Sequence, residues 1–489
     1  MRRFRLVGDV EALRRALDEP WEKWAIFLHP SQAALVARVF SGPSRVSGSA
    51  GTGKTVVALH RAAELARKNP SSKVLLTTFS DTLASALEGK LRTLVSGEPG
   101  VAARIVVKAI DRVGSDLYAE AFGTPKIVAA DTVRALITEA AKSHGVKFSI
   151  PFLVSEWTDV IEPWLVRSKE DYAKAPRLGR KTRLSAGQRE ALWPLFVAVR
   201  AAIAGRGETT VADMFDRVGA KIVATGTRPF DFAVVDEAQD LGVAEGRFLA
   251  ALGGARPNAL FFAGDLGQRI FQTPFSWKAL GVDIRGRSST LRVNYRTSHQ
   301  IRTQADKLLP SAISDVDGNE EGRKATVSVF NGPPPLVQAF ETAEAEAAGI
   351  GAWIAARIKE GVRPEEIGVF VRSEAEIDRA RAAAKAAGVP ALTLPGEGGA
   401  VAGAVAVSPM HLAKGLEFRA VAVMACDDEI LPEQSRIETA ADDAELEEVY
   451  NTERHLLYVA CTRARDRLIV SGVEPVSEFL ADFEGAGPS

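Results

Sequence analysis

The sequence predicts an α/β protein built on two parallel sheets, the first of them interrupted by a run of helices. Two patterns carry that prediction. Apolar runs of strand length recur between helical stretches, and they fall into two groups separated by a segment of helical periodicity. Short continuous apolar runs belong to strands buried on both faces, as in parallel sheets covered by helices. In chain order the first group is 74–77 (VLLT), 105–107 (IVV), 232–235 (FAVV) and 260–263 (LFFA). The second is 367–371 (IGVFV), 405–407 (VAV), 420–426 (AVAVMAC) and 468–470 (LIV). Between Asp111 and Asp236, a spacing such as Leu192, Leu195, Phe196, Val199 and Ile203 places apolar side chains on one helical face, so this segment reads as an insertion of helices. Within it, 176–183 (PRLGRKTR) is a basic connection, and in the second half 395–404 (PGEGGAVAGA) is a flexible loop. The acid-rich 441–450 reads as a helix with a solvated face.

At 489 residues and 46% apolar, the chain is long enough for three or four units with sizeable cores. Lys and Arg number 61 against 62 Asp and Glu, so attraction to a polyanion must come from local clusters of charge. The two cysteines, Cys426 and Cys461, lie in apolar stretches and read as reduced core residues of a cytosolic protein. No CxxC or histidine cluster points to zinc. The start, Met-Arg-Arg-Phe-Arg, leads into no apolar run of signal-peptide type, and no stretch approaches 18 uncharged apolar residues. A cytoplasmic location with no membrane contact is the expectation.

The strongest local signal is Gly48-Ser49-Ala50-Gly51-Thr52-Gly53-Lys54-Thr55, a GxxxxGK[ST] pattern that opens a helix-like stretch. Glycines there let backbone N–H groups curl around phosphate oxygens, and the helix N-terminus adds partial positive charge. Lys54 suits the β- and γ-phosphates of ATP, and the Thr55 hydroxyl suits Mg²⁺. Taken alone, the pattern could be an ordinary glycine-rich turn. A second signal changes that: in 232–240 (FAVVDEAQD) a buried strand ends in two adjacent carboxylates, delivered to the sheet edge where a phosphate loop also sits. Asp236 suits the Mg²⁺ shell, and Glu237 the base that orients and deprotonates water. A lone Asp-Glu pair would read as a solvated strand end; beside the phosphate loop it reads as catalytic.

From about residue 27 to 464 the chain resembles the superfamily 1 helicases of the UvrD, Rep and PcrA type. Phe27-Leu-His-Pro-Ser-Gln32 looks like the motif whose glutamine reads adenine, and Thr78-Phe79-Ser80 like a segment that touches single-stranded DNA. Gly264-Asp265-Leu-Gly-Gln268-Arg269 is similar to the motif whose glutamine senses the γ-phosphate. Asn294-Tyr295-Arg296 implies Tyr295 against the adenine and Arg296 on the γ-phosphate. His411-Leu-Ala-Lys-Gly415-Leu-Glu417-Phe implies Glu417 at the ribose and His411 near nucleic acid. Tyr458-Val-Ala-Cys-Thr462-Arg463-Ala implies Arg463 as an arginine finger. The resemblance implies two RecA-like P-loop domains, 1–112 with 226–288 and then 289–489, with a helical insertion at 113–225. Cations supplied by the second lobe would tie hydrolysis to closure of the cleft.

A motor on a single strand needs aromatic platforms and phosphate donors. Phe79, Phe275 and Trp277 are candidates, with Trp277 read as a base platform in preference to a core residue. Arg177, Arg180, Lys181 and Arg183 read either as phosphate contacts or as a solvated loop. Three departures from the family stand out. Only 38 residues separate Arg372 from His411, where UvrD-type helicases insert a further subdomain, so this is a compact form. Pro409 stands where the family has threonine, and 26 residues follow Arg463, too few for the nuclease domain of some relatives. The expectation is an ATP-dependent translocase or helicase on single-stranded nucleic acid, DNA over RNA, in the 3′ to 5′ sense. It would be a monomeric motor working with ATP and Mg²⁺ beside a partner such as a nuclease or repair factor. The alternative is an ATP-dependent switch that binds nucleic acid beside such a partner without processive unwinding; a small-molecule P-loop kinase leaves the second lobe's arginines unexplained.

Overall fold

A computed structural model describes residues 26–175, 184–265, 276–310, 312–314, 320–322, 326–394, 402–439 and 443–484. The first sheet contains β1 (Ser44–Ser47), β2 (Val74–Thr78), β3 (Ile105–Ala109), β4 (Phe232–Val235), β5 (Leu260–Gly264) and β6 (Ser288–Thr290), in the order β3-β2-β4-β5-β1-β6. Every pairing is parallel. All strand ends therefore share one edge, where Gly48 follows β1, Asp236 follows β4 and Asp265 follows β5. A chain that places β1 and β2 three positions apart leaves a crevice at this edge, the usual ligand position in such sheets.

β7 (Val293–Asn294) pairs with β10 (Val327–Ser328), and β8 (Ala312–Ser314) with β9 (Glu320–Gly322). The second large sheet has β11 (Leu336–Phe340), β12 (Ile367–Val371), β13 (Ala391–Thr393), β14 (Val405–Pro409), β15 (Phe418–Val423) and β16 (Ala464–Val473), in the order β11-β16-β15-β12-β14-β13. It too is parallel throughout. Phe418 pairs in register with Ala464, which sets their predecessors Glu417 and Arg463 side by side.

All eight apolar runs named from the sequence are strands. The run expected at 420–426 pairs only as Phe418–Val423, and the backbone then breaks at Ala425 with φ 57°. Helices cover both faces of each sheet. Helix Lys54–Lys68 buries Val57, Ala58, Leu59, Ala62, Ala63, Leu65 and Ala66, an i, i+3, i+4 stripe against Val46, Val74, Leu76 and Phe261. Most of helix Ile110–Phe122 and all of helix Val211–Thr225 fall inside the expected insertion, but they place Val113, Tyr118, Phe215, Val218 and Ile222 in one core with Leu75, Val235 and Phe262 of the sheet. The self-contained helical core is consequently narrower, from Val133 to Ile203. Cys426 and Cys461 are free, buried thiols whose pKa values are raised by burial. No helix among the described residues is long and apolar enough to cross a membrane.

Candidate nucleotide site

The loop after β1 is shaped by glycines at positions no other residue fits. Gly51 (φ 79°) and Gly53 (φ 83°) are left-handed, and a β-carbon on Gly53 would stand 2.6 Å from Gln32 Nε2. A β-carbon on Gly51 would run into Asn294 Oδ1. Gly53 is also the N-cap of helix Lys54–Lys68 and brings no side-chain hydrogen bond to its first turn, leaving the helix N-terminus to an anion. Lys54 Nζ folds over the loop, donating to Gly48 O (2.6 Å) and Ser49 O (3.1 Å), with Asp265 Oδ2 at 3.6 Å.

Beside it, Asp236 N–H donates to Thr77 O (2.8 Å), which fixes the end of β4 against β2. Burial, then the charge of Glu237, push the Asp236 carboxyl up to about 7, against a hydrogen bond from Thr55 and the charge of Lys54. Glu237 goes the other way. Burial opposes its ionisation, but Lys414, Lys54, a hydrogen bond from Gln239 and Arg463 together hold its pKa below the ordinary value. Its backbone is left-handed (φ 54°, ψ 41°), a strain of about 1–3 kcal/mol that the surroundings must hold. Gln239 does so: Nε2 donates to Glu237 Oε2 (2.5 Å) and Oε1 accepts from Asp265 N–H (2.8 Å). Gly264 makes room, since a β-carbon there would lie 2.7 Å from Gln239 Oε1.

The turn after β7 and the segments leading into β15 and β16 add further charged groups. Arg296 pairs with Glu417, and Lys90 Nζ lies 3.9 Å from the same carboxylate. Burial opposes the Glu417 charge, but Arg296, Lys90, Arg463 and Arg465 outweigh it and lower its pKa. Arg463 is 1% exposed and held by Val459 O (2.9 Å); burial, then Arg296, lower its pKa to about 10, so it stays charged at neutral pH. Lys414 reaches across to pair with Asp240 and sits 3.9 Å from Glu237 Oε2. A small cleft opens between Phe27, Gln32, Gly51, Gly53, Val56, Tyr295, Arg296 and Glu417. Tyr295 lies against His29, the ring centroids 4.8 Å apart and the planes tilted by 31°. Gln32 donates from Nε2 to Thr52 O (2.9 Å) and accepts from His29 N–H (3.0 Å), so it braces the phosphate loop. Aromatic rings, phosphate-loop glycines and a carboxylate thus line one cleft, the kinds of group that a nucleoside triphosphate calls on.

Residues 28–146 match the family model of the UvrD/REP helicase N-terminal domain, and residues 395–474 that of the UvrD-like helicase C-terminal domain. Both ends of the chain thus match models of UvrD-type helicase domains, in chain order, and the chain is similar to the UvrD/Rep-type superfamily 1 helicases. It is 26% identical over 396 residues to proteins named ATP-dependent DNA helicase UvrD2 from Mycobacterium bovis and Mycobacterium tuberculosis, across 75% of this chain and 55% of theirs. The chain thus spans about half the length of those relatives. A stretch of 69 residues is 45% identical to ATP-dependent DNA helicase UvrD1 of Mycobacterium leprae, 14% of this chain and 8% of that one. A crystal structure of the C-terminal domain of a possible DNA helicase from Lactobacillus plantarum is 26% identical and covers 39% of this chain and 95% of that one, at a TM-score of 0.28.

The residues expected to touch nucleic acid are less uniform. Trp277 is not a platform: it is 5% exposed and packs on Phe262 at 4.7 Å within the first core, so that reading is corrected to a core role. Phe79 is half-buried under Lys414, whose Nζ lies 5.6 Å from the ring centroid. Thr78 is fully buried, and its Oγ1 has no hydrogen-bond partner among the described residues. His411 is half-buried, and burial, then Arg372, lower its pKa. Ser408, beside Pro409, donates its hydroxyl to backbone carbonyls and is fully buried. Gln268, Arg269, Phe275 and the basic run 177–183 lie outside the described residues. Sequence reading missed Lys90, Gln239, Asn294 and Lys414, although the last three stand inside the motif strings and were open to inspection as buried-site polar groups.

Proposed function

We propose that the chain is an ATP-driven motor that moves 3′ to 5′ on single-stranded DNA. One arrangement supports this most: the phosphate loop and Asp236-Glu237 on the edge of one parallel sheet meet Glu417 and Arg463 from the second large sheet and Arg296 from the turn after β7. Two RecA-like lobes, the first carrying the helical insertion, would then close on ATP. Glu237, held ionised by Lys414 and Lys54 and aimed by Gln239, takes the proton of the attacking water. Lys54 spans the β- and γ-phosphates, and Arg296 and Arg463 offset charge that grows on the γ-phosphate. Gln32, Gly48, Ser49, Ala50, Gly51, Thr52, Gly53 and Thr55 frame the phosphates and the base, with Tyr295 on the ring face and Glu417 at the ribose. The half-buried Thr55 hydroxyl and the buried Asp236 carboxyl, joined by a hydrogen bond, fit a Mg²⁺ site; the ion would supply charge neutralisation at the phosphates.

The strand would cross both lobes past Thr78, Phe79 and His411. The UvrD2 and UvrD1 relatives carry the name DNA helicase, which favours DNA over RNA. A monomeric motor in the cytoplasm, beside a nuclease or repair factor, completes the reading. The second reading, an ATP-dependent switch subunit without processive unwinding, is favoured by the short path from β12 to β14. Among the described residues that path holds a single 3-10 turn, helix Ile377–Ala386 and β13.

The test is phosphate release with Mg²⁺ and no nucleic acid, single-stranded DNA, duplex DNA or single-stranded RNA, with Glu237→Gln as control. Stimulation by single-stranded DNA that vanishes in the control supports the motor. Turnover indifferent to nucleic acid would move the assignment to the switch.

A further inference from the structure

The turn that carries Tyr295 and Arg296 is fastened to the phosphate loop by one side chain. Asn294, fully buried at the end of β7, donates from Nδ2 to Ala50 O (2.9 Å). Its Oδ1 accepts from the N–H groups of Arg296 (2.9 Å) and Thr297 (2.9 Å). The next residue repeats the link, with Tyr295 N–H donating to Gly51 O (3.0 Å). Gly51 has to be glycine for this contact as well as for its φ of 79°, because a β-carbon would occupy the space of the Asn294 carboxamide.

Only a carboxamide does both jobs. Its oxygen gathers two backbone N–H groups while its nitrogen meets a backbone carbonyl, and no other side chain of this size pairs a donor with an acceptor of that kind. Aspartate has the same shape and keeps the two acceptor contacts, but it turns an oxygen toward Ala50 O. Arg296 beyond the turn is long and rotatable; its guanidinium is paired with Glu417, a residue that itself lies in the second lobe. What sets the base of that arginine relative to the loop is therefore the Asn294 bracket. We propose that Asn294 is a positioning residue that holds the backbone of Arg296 in register with the phosphate loop, so that the arginine reaches the terminal phosphate of ATP whenever the loop holds it.

This assignment rests on the ATPase reading above. A buried asparagine that merely stabilises the fold would make the same three bonds, so the test must separate the two. In a double-mutant cycle, phosphate release with saturating single-stranded DNA is measured for the wild type, Asn294→Asp, Arg296→Ala and the double variant. Equilibrium affinities for ADP and for ATPγS are measured on each. If Asn294 works through Arg296, Asn294→Asp lowers kcat by about 10- to 100-fold in the wild type. It then adds less than about twofold in the Arg296→Ala background, because groups acting as a unit are not additive. The preference for ATPγS over ADP falls to the same ratio in both single variants, while the ADP affinity changes by less than about threefold. If Asn294→Asp does not fold, Asn294→Ser, which keeps one acceptor and loses the donor to Ala50, carries the cycle. Equal loss in both backgrounds, or parallel loss of ADP and ATPγS binding, overturns the positioning role and leaves the ATPase reading standing. A wild type without turnover overturns both.

Discussion

Asp236 and Glu237 are adjacent in sequence and are driven in opposite directions by their neighbours. Thr55 and Lys54 only partly offset the burial of Asp236, whereas Lys414, Lys54 and Gln239 overcome the burial of Glu237. Glu237 is thus ionised by the protein's own cations, whereas Asp236 lacks a full counter-charge. Lys54 bears on both carboxylates and on the loop carbonyls, so Lys54→Ala should reduce single-strand-stimulated phosphate release to background. Turnover near the wild-type rate would take Lys54 out of the chemistry. The Asp-Glu pair was legible because it ends an apolar strand in a chain that also carries the phosphate-loop pattern. Trp277 was not, since nothing in Phe275-Ser-Trp277 distinguishes a ring facing a base from a ring facing Phe262, and only the three-dimensional packing decides. Trp277→Ala should therefore act on stability, costing about 3–5 kcal/mol in urea or thermal unfolding. Affinity of the folded fraction for single-stranded DNA should be unchanged; weakened binding at unchanged stability would restore the platform.

At the scale of elements, strands announced by Val, Ile and Leu runs were readable and polar ones were not. β1 (Ser44–Ser47) is fully buried with two serines and an arginine, because Ser44 bonds to Leu260 O and Ser47 to Thr290 Oγ1, so its letters give no apolar run. β11 is an edge strand with Leu336 half exposed, and its pattern is too weak to separate from loop. Helix Val243–Gly253 shows a cost that no periodicity reveals. In its first turn, Glu245 is pushed up to about 7, by burial first and then by Asp111. A carboxyl raised on folding keeps its proton in the native state while the unfolded chain releases it. Its favourable contribution is complete below the unfolded value near 4.5 and is lost as pH rises through about 7. Glu245→Gln should accordingly raise Tm at pH 8 and leave it unchanged at pH 4. An equal shift at both values would mean that the side chain's charge is not what the helix resists.

Across the whole molecule, the two sheets meet through polar contacts as well as through the nucleotide cleft. Lys414 pairs with Asp240, Lys90 approaches Glu417, and Ser49 bonds to Thr326 at 3.2 Å. Two parallel sheets and a helical insertion were legible from the apolar runs, but these cross-contacts were not, because residues 174 positions apart in sequence leave no joint signal in a single chain. A motor needs this coupling only to alternate its grip on one strand; forcing a duplex apart requires a further surface that engages paired DNA. The β12 to β14 connection, with helix Ile377–Ala386 and edge strand β13, offers little such surface among the described residues. The chain alone should then displace streptavidin from the 5′ end of a biotinylated single strand at a rate that depends on ATP, while opening a tailed duplex of about 20 base pairs far more slowly. Duplex opening as fast as streptavidin displacement would show that the compact second lobe suffices for unwinding. Displacement of neither, with ATP turnover intact, would show that hydrolysis drives a clamp and not a step.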